Sequence, residues 1–255
     1  MKVLYFSSTG NCIYVAKSLG SEALSIPELM KSGQLEIEDE IVGIVTPVYY
    51  GDLPQMVQKF IAKATIRTEY LFAIITYGSN PTSALKMAER RLRDAGLAPA
   101  YIGKVLMVDN YLDLFEIGAE LEKKSPVEID RQIGAVKADI ENRKQQAVPS
   151  SLAVSIIGPA MRFYGRKRFA KPTAQSFTVS DDCIHCGICA KVCPADNITV
   201  DGGKPIFSDH CEICYACAHN CPKAAIHVPK EKSGLRFRNE HVKLAEIIAA
   251  NNTGR

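Results

Sequence analysis

The chain has 255 residues, 47% hydrophobic, 23% charged and 7% aromatic, with 17 Gly, 13 Pro, no Trp and a formal charge of +3. That is ordinary globular usage for one to two domains at ~150 residues each, and it excludes disorder, collagen and coiled coil as the main architecture. No apolar run approaches the ~18 residues of a membrane span, and the opening Met1–Phe6 turns polar at Ser7, too soon for a secretory signal, so a cytoplasmic setting is expected.

The first half reads as alternating strands and helices. Lys2–Phe6 is a short apolar run ending in the polar turn Ser7–Asn11. Cys12, Val15, Ala16 and Leu19 then recur at helical spacing, and Gly20 closes that helix. Ala23–Ile26 is a weaker strand, and Glu40–Thr46 a clear buried one. Leu53–Ala64 reads as a helix with Pro54 in its first turn. Tyr70–Thr76 is a further strand, Pro81–Ala95 its helix with Gly96 just beyond, Tyr101–Val108 the last strand, and Val127–Gln146 a long amphipathic helix. Near-continuous apolar strands alternating with helices predict an α/β fold, a parallel sheet covered on both faces. Five strands in ~146 residues resemble a flavodoxin-like domain in size, and that resemblance implies the strand order 2-1-3-4-5.

In such sheets the ligand lies outside the carboxyl ends of the strands. Three turns fall there: Ser7-Ser8-Thr9-Gly10-Asn11-Cys12, Pro47-Val48-Tyr49-Tyr50-Gly51, and Thr76-Tyr77-Gly78 with Ser79 and Asn80 following. The first is rich in hydroxyls and opens a helix, which suits a phosphate. The other two carry tyrosines on which a planar aromatic ligand would stack. No Gly-x-Gly-x-x-Gly follows the first strand, so direct use of a nicotinamide dinucleotide is not supported.

Residues 1–147 resemble the flavodoxin family, whose phosphate turn the first loop matches except at its last position. The resemblance implies that Ser7, Ser8, Thr9, Gly10 and Asn11 hold the phosphate of FMN, while Pro47–Gly51 and Tyr77–Gly78 flank the isoalloxazine. By the same analogy the Tyr50–Gly51 peptide bonds flavin N5. Cys12 stands where the family has threonine, and a thiol is the poorer donor. Cys12 is either a tolerated small residue or a helix-N-terminal thiol of lowered pKa, open to oxidation.

Pro149–Thr173 reads as a connector, apolar first (Leu152, Ala153, Val154, Ile156, Ile157), then basic with Phe163, Tyr164 and Phe169 interleaved. Gly158 and Pro159 argue against one long amphipathic helix there. An interfacial membrane segment or a partner surface is the alternative.

Eight of the nine cysteines lie between Cys183 and Cys221. An offset of 28 pairs Cys183 with Cys211, Cys186 with Cys214, Cys189 with Cys217, Cys193 with Cys221 and Pro194 with Pro222. Both copies read C-x2-C-x2-C-x3-C-P, the bacterial two-cluster ferredoxin run, and cytosolic thiols are unlikely disulfides. One copy alone suits zinc or chance, whereas two complete copies point to iron–sulfur. The rule of that family, in which the fourth cysteine serves the other cluster, implies one [4Fe–4S] cluster on Cys183, Cys186, Cys189 and Cys221, and a second on Cys211, Cys214, Cys217 and Cys193. Ile184, Ile188, Ile198, Ile206, Ile213 and Ile226 are expected to exclude water around them. His185 and His219 read as neighbours of the clusters or exposed residues, not ligands. Glu240–Asn251 reads as a short closing helix.

Residues 1–148 carry 17 Lys+Arg against 19 Asp+Glu, a formal −2; residues 149–255 carry 14 against 9, a formal +5. The basic residues are spread out, which argues against nucleic acid, and two oxidised clusters at roughly −2 each would bring the +5 to about +1.

Taken whole, the chain resembles fusions of a flavodoxin-like domain with a bacterial-type two-cluster [4Fe–4S] ferredoxin. The resemblance implies a flavodoxin-like FMN-binding domain at 1–147, a linker at 148–174, a small α+β ferredoxin domain at 175–230 and a helical tail at 231–255. The implied activity is electron transfer between FMN, the two clusters and a redox protein partner. A flavin oxidoreductase acting on a small substrate is the rival, and a redox sensor with a vestigial flavin site is a third reading.

Overall fold

The computed structural model describes residues 1–20, 22–81, 83–146, 148, 152–171 and 173–252, of which 152–157 by backbone only. The linker boundaries at 147 and 149–151 lie outside the described residues, as do the apolar side chains expected between Leu152 and Ile157.

Five parallel strands form the central sheet. They are β1 (Lys2–Tyr5), β2 (Glu22–Ser25), β3 (Ile41–Pro47), β4 (Tyr70–Tyr77) and β5 (Pro99–Leu106). Their order is β2-β1-β3-β4-β5, with Leu4 opposite Leu24 on one side and Ile44 on the other. This is the flavodoxin-like α/β sheet. β3 and β4 are buried along almost their whole length, which explains their lack of polar alternation. Gly43 is glycine because the Phe72 ring crosses β3 there; a Cβ would lie 2.0 Å from that ring.

The first six helices are α1 (Asn11–Ser18), α2 (Ile26–Ser32), α3 (Gln55–Lys63), α4 (Ala84–Asp94), α5 (Ile117–Lys123) and α6 (Pro126–Glu141). The sequence reading missed α2 and α5. The signal for α2 was present: the Ser25 hydroxyl accepts from the Glu28 N–H at 3.4 Å and Pro27 sits in the first turn, a Ser-x-x-Glu start. α5 has no such start; the Glu116 carboxylate caps it by accepting from Gly118 and Ala119. The expected Val127–Gln146 helix is shorter, ending at Glu141. A small parallel pair, Glu36–Glu38 with Thr65–Arg67, was also not foreseen.

The connector corrects the sequence reading. Leu152–Phe169 is one helix, α7, with Pro159 inside it. Proline removes one N–H bond, but packing against Ser83 and Tyr50 holds the helix beside and after it. Arg162 donates to the Ser83 hydroxyl at 2.7 Å, and Gly165 lies so close to Tyr50 that a Cβ would meet the Tyr50 Cβ at 2.7 Å. The basic residues are drawn into these contacts: Arg168 pairs with Asp113 at 2.9 Å and the Lys167 ammonium sits over the Phe163 ring. No helix among the described residues is long and apolar enough to cross a membrane.

The cysteine segment builds two short helices, α8 (Ile188–Lys191) and α9 (Ala216–His219), and two antiparallel pairs, Thr178–Val179 with Ile226–His227 and Ile198–Thr199 with Ile206–Phe207. Its backbone repeats as its sequence does. Left-handed residues occur at His185 and Ile213, at Gly187 and Tyr215, and at Asp196 and Ala224, each pair 28 apart. Of the expected packing isoleucines, Ile198, Ile213 and Ile226 are buried, while Ile184 and Ile206 are 57% and 64% exposed, a correction to that reading. Period and spacing do not distinguish the inner from the outer side of a strand only two residues long, such as Ile206–Phe207, or of the irregular turn that holds Ile184.

The closing helix α10 (Leu244–Asn251) is shorter than expected and docks on the sheet domain. Lys17 pairs with Glu246 at 2.6 Å, Ser25 donates to the Ala250 carbonyl, and Val242, Ile247 and Ala250 join the core of the first half.

Candidate functional site

β1, β3 and β4 deliver their turns to one end of the sheet. After β1 the chain turns at Gly10, where φ is +98° and the Gly10 N–H donates to the Ser7 hydroxyl at 3.1 Å. After β3, Tyr49 and Asp52 exchange backbone hydrogen bonds of 2.8 and 3.0 Å across Tyr50 and Gly51, both left-handed at φ 53° and 73°. Two successive positive φ values make a tight turn that presents the Tyr50–Gly51 peptide.

A cavity of about 250 Å³ opens between these turns. Ser7, Ser8, Thr9, Asn11 and Cys12 line it, with Pro47, Val48, Tyr49, Tyr50 and Gly51 and with Thr76, Tyr77 and Gly78. Of the residues expected around FMN only Gly10 is not part of the wall. It faces the tail instead, where a Cβ would lie 2.9 Å from the Val242 Cβ.

The cavity suits a flavin phosphate and ring. Three buried hydroxyl side chains, Ser7, Ser8 and Thr9, stand at the start of α1, and rings from two turns stand further along. Burial pushes the Tyr49 phenol up, with Cys214 beside it as the next cause. Cys12 is 1% exposed and its Sγ lies 3.2 Å from the Thr76 hydroxyl. Burial pushes its thiol up to about 12, so the alternative of a reactive, lowered-pKa cysteine is overturned. Desolvation outweighs the helix N-terminus here.

Several wall residues were not foreseen. Asp109, Asn110 and Tyr111 follow β5, and Leu114, Phe115, Met161 and Tyr164 complete one side. The rule that ligands sit at strand ends would have pointed to the turn after β5 as well. Met161 and Tyr164 come from α7, and nothing local in the sequence places that helix there. Burial pushes the Asp109 carboxyl up to about 6, with Glu120 adding to the rise and Lys124 opposing it.

The eight clustered cysteines form two sets. Cys183, Cys186, Cys189 and Cys221 line one small cavity together, with Pro222 and Ile188. The Cys189 thiol is pushed up to about 11, first by burial and then by Cys186, Cys221 and Cys183. In the other set Cys211, Cys214 and Cys217 are all pushed up first by burial and each also by Cys193; Cys211 adds to the rise at Cys214 and Cys217, and Cys189 of the first set adds at Cys217. Among the described residues no three His, Cys, Asp or Glu side chains converge as ligands of a single ion. A four-iron cube instead spreads four thiolates around itself. Backbone donors reach the sulfurs in matching places: Asn197 to Cys193 Sγ and, 28 residues on, Ala225 to Cys221 Sγ, both at 3.3 Å. Such N–H···S bonds raise a cluster's potential.

The two regions meet. Ile213, Cys214 and Tyr215 form part of the wall of the cavity at the strand ends. Cys214 lies in the apolar core of the sheet domain, not in that of its own segment. His185 is exposed, whereas His219 is buried, accepting at Nδ1 from the Phe237 N–H at 3.0 Å and donating from Nε2 to the Asn110 carbonyl at 2.8 Å.

Residues 177–222 match the 4Fe-4S dicluster domain family. The chain therefore joins a flavodoxin-like sheet to a 4Fe-4S dicluster segment.

Solved structures similar to it include the metal-soaked Flv1 flavodiiron core from Synechocystis, at 16% identity and a TM-score of 0.35 over 64% of this chain and 36% of that one. An archaeal flavodoxin aligns at 16% identity and 0.33, over 55% of this chain and 99% of that one. Rubredoxin oxygen:oxidoreductase from Desulfovibrio gigas aligns at 12% and 0.31, over 56% and 36%. The chain thus spans about a third of the length of the flavodiiron core it matches. A search of curated proteins finds no match.

Proposed function

We propose that this chain carries electrons between a bound FMN and two [4Fe–4S] clusters, and on to a redox protein partner. The observation that carries the reading is Cys214, a member of one thiol set that is also part of the wall of the cavity at the strand ends. A flavin exchanges two electrons or one, and a cluster one at a time, so the pair forms a relay. Ser7–Asn11 would hold the phosphate, the Tyr49–Gly51 and Thr76–Gly78 turns the ring, and the two thiol sets one cluster each. Cys193, Cys211, Cys214 and Cys217 would hold the cluster next to the flavin. Cys183, Cys186, Cys189 and Cys221 would hold the outer one, where Cys186, Ile184 and His185 are exposed to a partner. In this reading residues 1–147 form the flavin domain, 148–174 the linker, 175–230 the cluster domain and 231–255 the tail.

Anaerobic purification followed by iron, sulfide and flavin counts tests it. About eight iron, eight sulfide and one FMN per chain are expected for two four-iron clusters and one flavin. Zinc in place of iron, or clusters without FMN, would overturn it.

A second reading has one observation in its favour. Leu114, Phe115, Met161 and Tyr164 give the cavity an apolar side, and Leu114 and Tyr164 are more than half exposed. That opening suits a small apolar substrate reduced at the flavin. Oxidation of the reduced protein by such a substrate would distinguish this from the carrier.

A further inference from the structure

Buried asparagines outside the sheet hold the backbone of the Ser7–Asn11 turn from behind. Asn220 Nδ2 donates to the Ser8 carbonyl at 3.1 Å and Asn251 Nδ2 to the Ser7 carbonyl at 3.4 Å. Asn239 donates its backbone N–H to the Thr9 carbonyl at 2.8 Å and its Nδ2 to Asn11 Oδ1 at 3.2 Å. All three asparagines are less than 10% exposed. A further link runs from His219 to the Asn110 carbonyl, and Asn110 Nδ2 donates to the Thr9 hydroxyl at 2.6 Å.

The consequence follows from peptide geometry. In a trans peptide the C=O and the next residue's N–H point opposite ways. Pinning the Ser7 and Ser8 carbonyls on the asparagine side therefore turns the N–H groups of Ser8 and Thr9 away from it. Those are backbone donors that a bound phosphate would use.

Asn220 is not an independent residue. It lies between Cys217 and Cys221, which belong to different thiol sets. The helix that leads directly into it, α9, has four residues and cannot order itself. Short segments of this kind take their fold from the metal they bind. Ile213 holds a left-handed φ of 52°, a costly state for a β-branched residue that metal binding can offset.

We propose that cluster loading and FMN binding are coupled through Asn220, and that Asn220 and Asn239 act as positioning residues for the flavin phosphate. This rests on the flavin and cluster assignment above. Linkage makes the effect reciprocal: clusters tighten FMN, and FMN slows cluster loss.

The test uses the full chain, titrated anaerobically with FMN and separately with riboflavin, following flavin fluorescence. The cluster-loaded chain is expected to bind FMN at least ~10-fold more tightly than the same chain stripped by chelator, within the usual range for coupled sites. Asn220→Asp keeps the shape and replaces the donor with an acceptor. With its iron content intact it is expected to lose ~10-fold in FMN affinity while riboflavin binding stays unchanged. Asn239→Ala, remote from the cysteine motifs, is expected to shift the same ratio in the same direction, and it serves if Asn220→Asp fails to take up iron. Equal FMN affinity with and without clusters overturns the coupling and leaves the relay standing, as does a parallel loss of FMN and riboflavin in both variants. No FMN binding by the loaded wild type would remove the flavin assignment itself.

Discussion

The rings of Tyr111 and Tyr215 stack with centroids 5.6 Å apart, and they join the two halves of the chain. Tyr111 follows the last strand of the sheet, and Tyr215 follows Cys214. Both hydroxyls reach Asp113, at 3.4 and 2.8 Å, and Arg168 of α7 closes the group at 2.9 Å from the same carboxylate. Burial pushes both phenols up, so neither ionises at ordinary pH.

Asp113→Asn should therefore loosen the junction. It removes the charge that Arg168 and two phenols share, and lost hydrogen bonds to a charged group cost about 1.5–3 kcal/mol. The expected outcome is a lower thermal midpoint with full iron content. An unchanged midpoint would mean the stack alone holds the halves together.

The order of the two clusters can be read from paired variants. Replacing Cys214 with Ser should stop photoreduced clusters from passing electrons to FMN. Replacing the exposed Cys186 with Ser should remove about half the iron yet leave that transfer working, because only the outer set is damaged. Rapid-mixing absorbance at the flavin bands separates the two outcomes, and identical behaviour would reverse or erase the assigned order.

Gly51 sits at φ 73°, and its carbonyl accepts from the Ser83 hydroxyl at 2.6 Å. Gly51→Ala forces a side chain into the left-handed region at about 1–2 kcal/mol. Both flavin midpoint potentials should move, since the Tyr50–Gly51 peptide is the proposed partner of flavin N5. Redox titration with both potentials unmoved would remove that role.

Cys12 should behave as a buried packing residue. With its thiol pushed up to about 12 there is almost no thiolate at neutral pH, so iodoacetamide should leave it unmodified in the native protein. Peptide mapping by mass spectrometry after labelling checks this. Rapid alkylation of Cys12 in folded protein would contradict the burial seen.

Asp109 predicts a pH dependence in the flavin-free protein. Its carboxyl rises from 3.8 to about 6 on folding, so between those values the native state binds the extra proton. Stability from this group is then present below pH 4 and is lost as pH rises through 6. The groups facing it are Glu120, Lys124 and the backbone N–H groups of Tyr111 and Asn110. Asp109→Asn should flatten that slope in thermal midpoints taken between pH 4.5 and 7. A wild-type slope that survives the substitution would assign it to another group.

Much of the chemistry was legible locally. The two C-x2-C-x2-C-x3-C-P runs carry their meaning in spacing alone, because a metal cluster needs particular residues at short range. The strands that deliver Ser7–Asn11, Tyr49–Gly51 and Thr76–Gly78 were legible for a similar reason: a sheet covered on both faces leaves continuous apolar runs. α7 was not legible, since Gly158 and Pro159 are poor helix residues by local preference and distant partners, Ser83, Tyr50 and Asp113 among them, reverse that preference. The junction was decided by the tertiary structure alone. That Cys214 borders the cavity at the strand ends while Cys186 faces solvent, and that Asn220, Asn239 and Asn251 hold one turn near the N-terminus, depend on contacts between residues up to 244 positions apart. Residue type and period describe a chain's neighbours along itself; they carry no record of which distant backbone carbonyl a buried amide will meet.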